Sequence, residues 1–570
     1  MARSAADPAE LTHRQIIVIL VGLMSGMFLA ALDQTIVATA IRTIADDLRG
    51  LEQQAWATTA YLITSTIVTP LYGKLSDIYG RKRFYIAAIV IFIVGSLLCS
   101  LAVSMPQLAL FRAVQGAGAG GLMSLALAII GDIVPPRERA KYQGYFLAVF
   151  GTSSVLGPVI GGFFAGQETL LAVAGWRWVF LVNVPVGVVA LIMVTRTLQL
   201  THHRLEHRID WWGAATLALG LVPLLLVAEQ GRDWGWTSAP ALACFGVGIA
   251  GLIAFVLIER AMGDEALLPI SLFRIRTVGV SSAASVIIGM AMFGGLACLP
   301  LYLQIVKGST PTEAGLQLLP LTLGIMTASI VSGQLISRTG RYRIFPVVGS
   351  FLLAAALFAF HYVHADTPLW QSMLIMVFFG FGLGCNFQPL TLAVQNAVPA
   401  RSIGVATASA AFTRQIGGTI GTAVFLSILF STVPDRIAKA FERILPTPEF
   451  QAALTDPANA EFAGQLQQAQ AAGNAVDGSG VLDDSSFLID LDPRLAQPFL
   501  EGFADAMDLV FLVAAIVMAV GCLIIVFLPD LELRKASAYS ERAAEVAAAQ
   551  AAQAESGPVR PSEEPERRGT

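Results

Sequence analysis

Apolar runs long enough to cross a bilayer recur from one end of the chain to the other, and no other feature constrains the fold as strongly. A helical span needs about 20 mainly apolar residues to cover the hydrocarbon core, and it must satisfy its own backbone because lipid supplies no partners. Fourteen candidate spans lie at 16–38, 55–73, 84–104, 108–131, 142–165, 177–195, 212–229, 239–258, 277–303, 315–336, 345–363, 371–394, 403–430 and 508–528. Charged residues make up 13% of the 570, against about 25% in a soluble domain. Most of the chain therefore faces lipid or other helices, which predicts an all-α polytopic membrane protein. The first run could pass for a signal peptide, but its continuation through Asp33 into the later spans predicts a retained helix.

Lys and Arg set the expected orientation. Six short loops on one side (74–83, 132–141, 196–211, 259–276, 337–344 and 395–402) carry 17 of them, and the short loops on the other side carry 4. The positive-inside rule puts the first set and both termini in the cytoplasm of a plasma membrane, the inner membrane in a bacterium. A net charge of −4 gives no reason to expect nucleic acid as a partner. Cys99, Cys244, Cys298, Cys385 and Cys522 all fall inside apolar runs and read as packing residues. No cofactor motif, metal-ligand spacing or catalytic constellation is evident. His202, His203 and His207 in a loop, and His361 with Asp366, have suggestive spacings, but their contexts read as incidental.

The most charged short stretch is Gly73–Arg83, expected to be a loop between two spans. Gly73 and Gly80 permit a tight turn. Asp77 can accept from an arginine or a helix N-terminus, while Arg81, Lys82 and Arg83 are expected at the lipid surface. It reads either as a topology-setting basic loop or as a gating element. A decayed copy runs from Gly333 to Arg343, with Ser337 where Asp77 stood. Gly116 and Gly380, Val134-Pro135 and Val398-Pro399, and Gly157 and Gly421 are each 264 residues apart. That period holds eight spans, as expected of a six-helix repeat with an inserted pair. The expected divisions are an N-terminus (1–15), a first half (16–195), a two-helix insert with its loops (196–276), a second half (277–528) and a tail (529–570).

Polar groups inside spans are functional candidates by default. Asp33 lies late in the first span, so it is either a buried carboxylate or a helix-end group reaching water. Arg112, followed by Gln115 and Gly116, either snorkels or turns inward beside an acid such as Asp33. Arg414 in the thirteenth span either snorkels to its cytoplasmic end or faces an anionic group or a water-filled cavity. Gly157-Pro158 and Gly161-Gly162 combine close-packing glycines with a helix-kinking proline, which suggests a hinge at a seam. The segment 431–507 holds twelve acids against four bases and lies on the extracytoplasmic side by the orientation above. Its part 451–472 is expected to be helical and Asn474–Ser486 flexible; the tail after Arg534 is expected to be disordered.

Together these residues resemble the major facilitator superfamily, and within it the fourteen-helix drug:proton antiporters. Gly73–Arg83 resembles the signature between helices 2 and 3. Leu32-Asp33-Gln34-Thr35 resembles the first-helix motif of that branch, Arg112 with Gln115-Gly116 the fourth-helix motif, and Gly157-Pro158 with Gly161-Gly162 the fifth-helix antiporter motif. Trp176-Arg177-Trp178, Phe180, Asn183 and Pro185 are also typical of the branch. The resemblance implies two six-helix halves plus two inserted helices, and proton-driven export of amphipathic, cationic or neutral small molecules by alternating access. It implies that Asp33 takes the proton or cation, with Arg112 and Gln115 in proton coupling; Arg414, read from its charge within a span, is added as a candidate for coupling or substrate contact. Asp77 and the 81–83 cations would latch the cytoplasmic side, and Gly157-Pro158 would prevent leak. Membrane lipids surround such a protein. The long 431–507 segment leaves room for an envelope protein as partner, and for the alternative of a dedicated lipid, glycolipid or metabolite exporter.

Overall fold

The computed structural model describes residues 13–49, 54–198, 210–309, 311–399, 402–460, 462–464, 466 and 491–534. Its long helices are α1 (His13–Asp47), α2 (Gln54–Tyr79), α3 (Arg81–Ser100), α4 (Met105–Ile133), α5 (Pro136–Ala165), α6 (Asn183–Thr197), α7 (Trp211–Trp234), α8 (Ala239–Met262), α9 (Arg276–Leu301), α10 (Leu319–Thr339), α11 (Ile344–Phe360), α12 (Leu369–Ala397), α13 (Ile403–Ile444) and α14 (Pro493–Val526). Among the described residues ten stretches are long and apolar enough to cross a membrane, and Trp211–Val227 and Ile344–Phe360 are shorter apolar helices. α2 and α5 are long but more polar. Each packs on protein from two sides, α2 on α4 and α13 and α5 on α1 and α10, so neither needs an apolar surface all round.

Two bundles with separate apolar cores result. One core draws on residues 16–198, the other on 284–533. The 264-residue period reappears in the helices themselves: α4 and α12 are both 29 residues long and begin and end 264 positions apart. Small residues explain how the helices of each bundle meet. A Cβ on Gly116 or Gly120 would strike the Tyr61 and Ser65 carbonyls of α2, and one on Gly380 or Gly384 would strike the Leu321 and Ile325 carbonyls of α10. The same joint is built twice.

α7 of the inserted pair leans on both bundles, its Leu217, Leu221 and Leu225 clustering with Ile63 of α2 and Phe412 of α13. α8 lies outside it and leaves Ile249, Ile253 and Leu257 more than half exposed, as a lipid-facing helix should. Trp211 and Trp212 are also exposed, at the start of α7.

Several expectations need correction. Gly73–Tyr79 is the last part of α2 and not a loop; the link to α3 is Gly80 alone, with φ 104°. Between α5 and α6 a short hairpin pairs Thr169–Leu170 with Val173–Ala174, turning through Leu171 (φ 51°) and Ala172 (φ 64°). The segment after α13's span is no separate loop at its edges. α13 continues to Ile444, 42 residues in all, about 63 Å at 1.5 Å per residue and about twice the hydrocarbon thickness. α14 already starts at Pro493. The extended ends pack together: Ile437 lies on Gly502, and the Phe441 and Phe499 rings meet at 5.0 Å with Phe450 6.1 Å from Phe441. Asp492 caps α14, accepting from the Arg494 amide at 2.9 Å and its guanidinium at 2.7 Å. Those hydrogen bonds hold its carboxyl well below the usual range. Residues 1–12, the histidines at 202, 203 and 207, Asn474–Ser486 and the tail from 535 lie outside the described residues.

Candidate functional site: a buried ion pair, an inter-bundle latch and a lone cation

The first site forms where α1, α2, α3, α4 and α6 converge. Asp33 is fully buried and Arg112 is 1% exposed, which excludes both the water-reaching and the snorkelling alternatives. Arg112 Nη1 donates to Asp33 Oδ2 at 2.6 Å and to Gln115 Oε1 at 2.6 Å. Gln115 Nε2 donates to Asp33 Oδ1 at 2.8 Å, and Asn183 Nδ2 reaches the same oxygen at 2.7 Å. Ser96 Oγ accepts from Gln115 at 2.6 Å and from Asn183 at 3.2 Å. The guanidinium also donates to the Ala57 carbonyl at 3.2 Å and lies 4.2 Å from the Tyr61 ring centroid, so it grips α2. Both buried charges thus have a partner and further hydrogen bonds, which a dehydrated pair requires. Among the described residues Asn183 Oδ1 is buried without a hydrogen-bond partner.

Ser96 and Asn183 carry no charge to draw attention in a sequence. Asn183 was visible only as part of a motif, and its role depends on α6 meeting α1. The rest of that motif is structural. Arg177 donates to the Ser100 and Ala102 carbonyls at 2.5 and 2.9 Å, satisfying the otherwise orphaned C-terminus of α3. Trp176 bonds Asp47 at 2.7 Å.

The second site joins the bundles at the face that carries the basic loops. Asp77 Oδ2 accepts from the Val405 amide at 3.0 Å, in the first turn of α13. That amide is one of the donors a helix N-terminus leaves unsatisfied, and the helix dipole adds to its pull on an anion. Arg81 is buried at 6% exposure, not at the lipid surface. It pairs with Asp77 at 2.5 Å and Asp132 at 2.9 Å and donates to Ser76 at 2.5 Å. Only Arg83 of the basic triplet is exposed; Lys82 donates to the Thr195 carbonyl at the end of α6, at 2.7 Å. A Cβ on Gly404 would collide with both Asp77 and Arg81, and one on Gly73 would strike Ala408.

A second clasp was not legible in the sequence. Arg139 is fully buried and donates to Gln395 of α12 at 2.7 Å and to the Gly131 and Val134 carbonyls at 2.5 and 2.9 Å. Gln395 in turn donates to the Leu127 carbonyl at 3.1 Å and to Thr407 at 2.9 Å. The decayed copy is used differently: Tyr342 donates to the Pro529 carbonyl at 2.7 Å and Arg343 to that of Val526 at 2.7 Å, tying down the chain after α14.

α5 runs as helix through Gly157, Pro158, Gly161 and Gly162. Gly157 and Gly161 face α1, where a Cβ would meet Thr35 and Ile36, while Gly162 faces open space. One helical stretch earlier, Gly151 meets Thr322 and Met326 of α10. α5 is therefore wedged between the bundles, with its glycine face on the turn of α1 that follows Asp33.

Arg414 stands apart from these networks. It is 9% exposed, about three turns into α13 and near the middle of the span 403–430, with its guanidinium 3.8 Å from the Phe387 ring centroid of α12. No described carboxylate pairs with it. A cation at mid-span costs about 2.5–3.5 kcal/mol on insertion scales, and a ring contact returns about 0.5–2 kcal/mol. Its neighbour Gln415 crosses to Ser65 of α2 at 2.9 Å, so Arg414 sits at the seam.

This geometry has known company. The Major Facilitator Superfamily profile matches residues 23–422. The chain is 31% identical over 541 residues to the multidrug transporter protein MdtP of Bacillus subtilis, covering 93% of this chain and 96% of that one. It is 33% identical to multidrug resistance protein 3 of the same organism, covering 74% and 81%. The tetracycline resistance determinant of Streptomyces rimosus is 40% identical, covering 61% and 98%. Among solved structures, the proton:xylose symporter XylE superposes with a TM-score of 0.58 at 14% identity, over 94% of this chain and all of that one, a likeness of fold. With helical bundles built twice on one plan and relatives matched along nearly their full length, the chain belongs to the major facilitator superfamily, a family of multi-pass membrane transporters and not of enzymes.

Proposed function

We propose that this transporter is an antiporter that exports amphipathic compounds across the plasma membrane in exchange for protons, by alternating access. The names of its multidrug and tetracycline-resistance relatives support the export of drug-like molecules. The observation that carries the coupling is the enclosed Asp33–Arg112 pair at 2.6 Å. A proton delivered to Asp33 removes the charge that holds Arg112, and uncoupling one partner of a buried pair shifts the energy by about 3–5 kcal/mol.

Arg112 holds α2 at Ala57 and Tyr61, and the same helix ends in the Asp77 latch. Ala57 and Asp77 lie twenty residues apart on this one continuous helix, about 30 Å along its axis, with Pro70 between them. The latch bond is worth about 1.5–3 kcal/mol as a charge-assisted hydrogen bond. The proton event is therefore large enough to bias it. By the positive-inside rule the latch face would lie in the cytoplasm, and the state described would then have its cytoplasmic side clasped. The electrical term adds about 2.3 kcal/mol per charge per 100 mV. The Gly157–Gly161 face would keep α5 flush on α1 while the bundles rock.

The test is efflux of ethidium and of the neutral dye Nile red from loaded cells, wild type against Asp33→Asn at matched expression, with and without an uncoupler. Collapse with either change is expected. Full uncoupler-sensitive efflux by Asp33→Asn would remove Asp33 from the mechanism. The packed extension of α13 and α14 favours a second reading, in which 431–507 docks an envelope partner for lipid or metabolite export. Deleting 446–491 discriminates, because dye efflux would then survive while export of the native lipid failed.

A further inference from the structure

We propose that Arg414 is an anion-recognition subsite, and that the compounds this transporter favours carry a carboxylate or similar anionic group on an amphipathic body. This rests on the exporter reading and goes beyond it by naming the substrate's charge, which departs from the cationic or neutral compounds that the family resemblance implies. Three observations carry it. The membrane-embedded charges of the first bundle cancel, because Asp33 and Arg112 are closed on each other. Arg414 is more than nine-tenths buried, and among the described residues it has neither an acid nor a hydrogen-bonding partner, only the Phe387 ring. It lies beside Gln415, whose bond to Ser65 marks where the two bundles meet and where an alternating-access cavity opens.

One guanidinium face is covered by Phe387, and the planar fork at its edge is the part suited to bidentate pairing with a carboxylate. Gly289 of α9 packs on the Arg414 carbonyl, so α9 closes the backbone side of this turn. A cationic substrate would meet uncompensated positive charge at this seam. An anionic group would neutralise it.

The experiment uses the full chain in phosphatidylcholine proteoliposomes and two dyes that differ by one ester: rhodamine 110, with a free carboxylate, and rhodamine 123, its methyl ester. Wild type is expected to bind rhodamine 110 at least about tenfold more tightly. Arg414→Gln should abolish that preference by weakening rhodamine 110 and by relieving the repulsion of cationic rhodamine 123, and Arg414→Lys should keep part of it. Equal binding of the dyes by wild type, or an equal loss of both in Arg414→Gln, would overturn the subsite. A preference that vanishes in phosphatidylglycerol vesicles would assign Arg414 to a lipid headgroup and overturn it too. Gradient-driven export of rhodamine 123 without preference for rhodamine 110 would leave the exporter reading intact and remove the subsite. Rhodamine 110 bound through Arg414 but moved by no gradient would do the reverse.

Discussion

Replacing Asp77 by Ala should loosen the clasp between the bundles, and the structure sets the size of the effect. The Val405 amide gives its hydrogen to Asp77 Oδ2 at 3.0 Å, in the first turn of α13, where the helix offers that amide no acceptor of its own. A hydrogen bond to a charged group contributes about 1.5–3 kcal/mol, and the carboxylate at a helix N-terminus adds about 0.5 kcal/mol. The sum is about 2–3.5 kcal/mol, or about 30–300-fold in the clasped-to-open ratio. Arg81 keeps Asp132 at 2.9 Å in the variant, so no unpaired buried cation confuses the outcome. Hydrogen exchange of a peptide spanning 402–412 reads the change directly, and exchange in the α9 stretch 284–291 serves as control. Protection at 402–412 should fall by that factor while the control holds. Unchanged protection would mean that Asp77 only fixes topology, and the coupling argued through α2 would lose its far end.

Arg112→Gln leaves Asp33 buried without its cation and should destabilise the detergent-purified protein by about 3–5 kcal/mol, with Asp33→Asn in the same chain restoring part of the loss; thermal unfolding of both variants checks the coupling. Gly116→Val and Gly380→Val should fail alike, since each drives a side chain into the carbonyl row of α2 or α10 at about 1–3 kcal/mol or more. Size-exclusion profiles showing one tolerated and the other not would refute the duplicated joint. Phe499→Ala should remove about 3–5 kcal/mol of packing from the Phe441–Phe450 cluster, seen as faster proteolysis within 445–492 while transport of dye persists.

The membrane character, the duplicated plan and the residues Asp33, Arg112, Asp77 and Gly157 could be read from the chain because their signals are local. Twenty apolar residues in a row must be a helix in lipid whatever surrounds them. A charge inside such a run stands out because it costs energy there, and a 264-residue echo needs only counting. Which way Arg112 pointed, and that Arg81 is buried while Arg83 is not, could not be read in that way. Those outcomes depend on which helix lies alongside, and periodicity along one helix does not name its neighbour. Ser96, Asp132 and Gln395 were silent, and Asn183 visible only within a motif, for the same reason: each is an ordinary polar residue until a partner from a helix distant in sequence, as far as 268 residues for Gln395 and Leu127, arrives at hydrogen-bonding distance. Composition alone determined that this protein lives in lipid and is built of helices. Tertiary packing decided, among the described residues, that Asp33 and Arg112 cancel each other while no acid pairs with Arg414, because charge compensation is a property of three-dimensional neighbours.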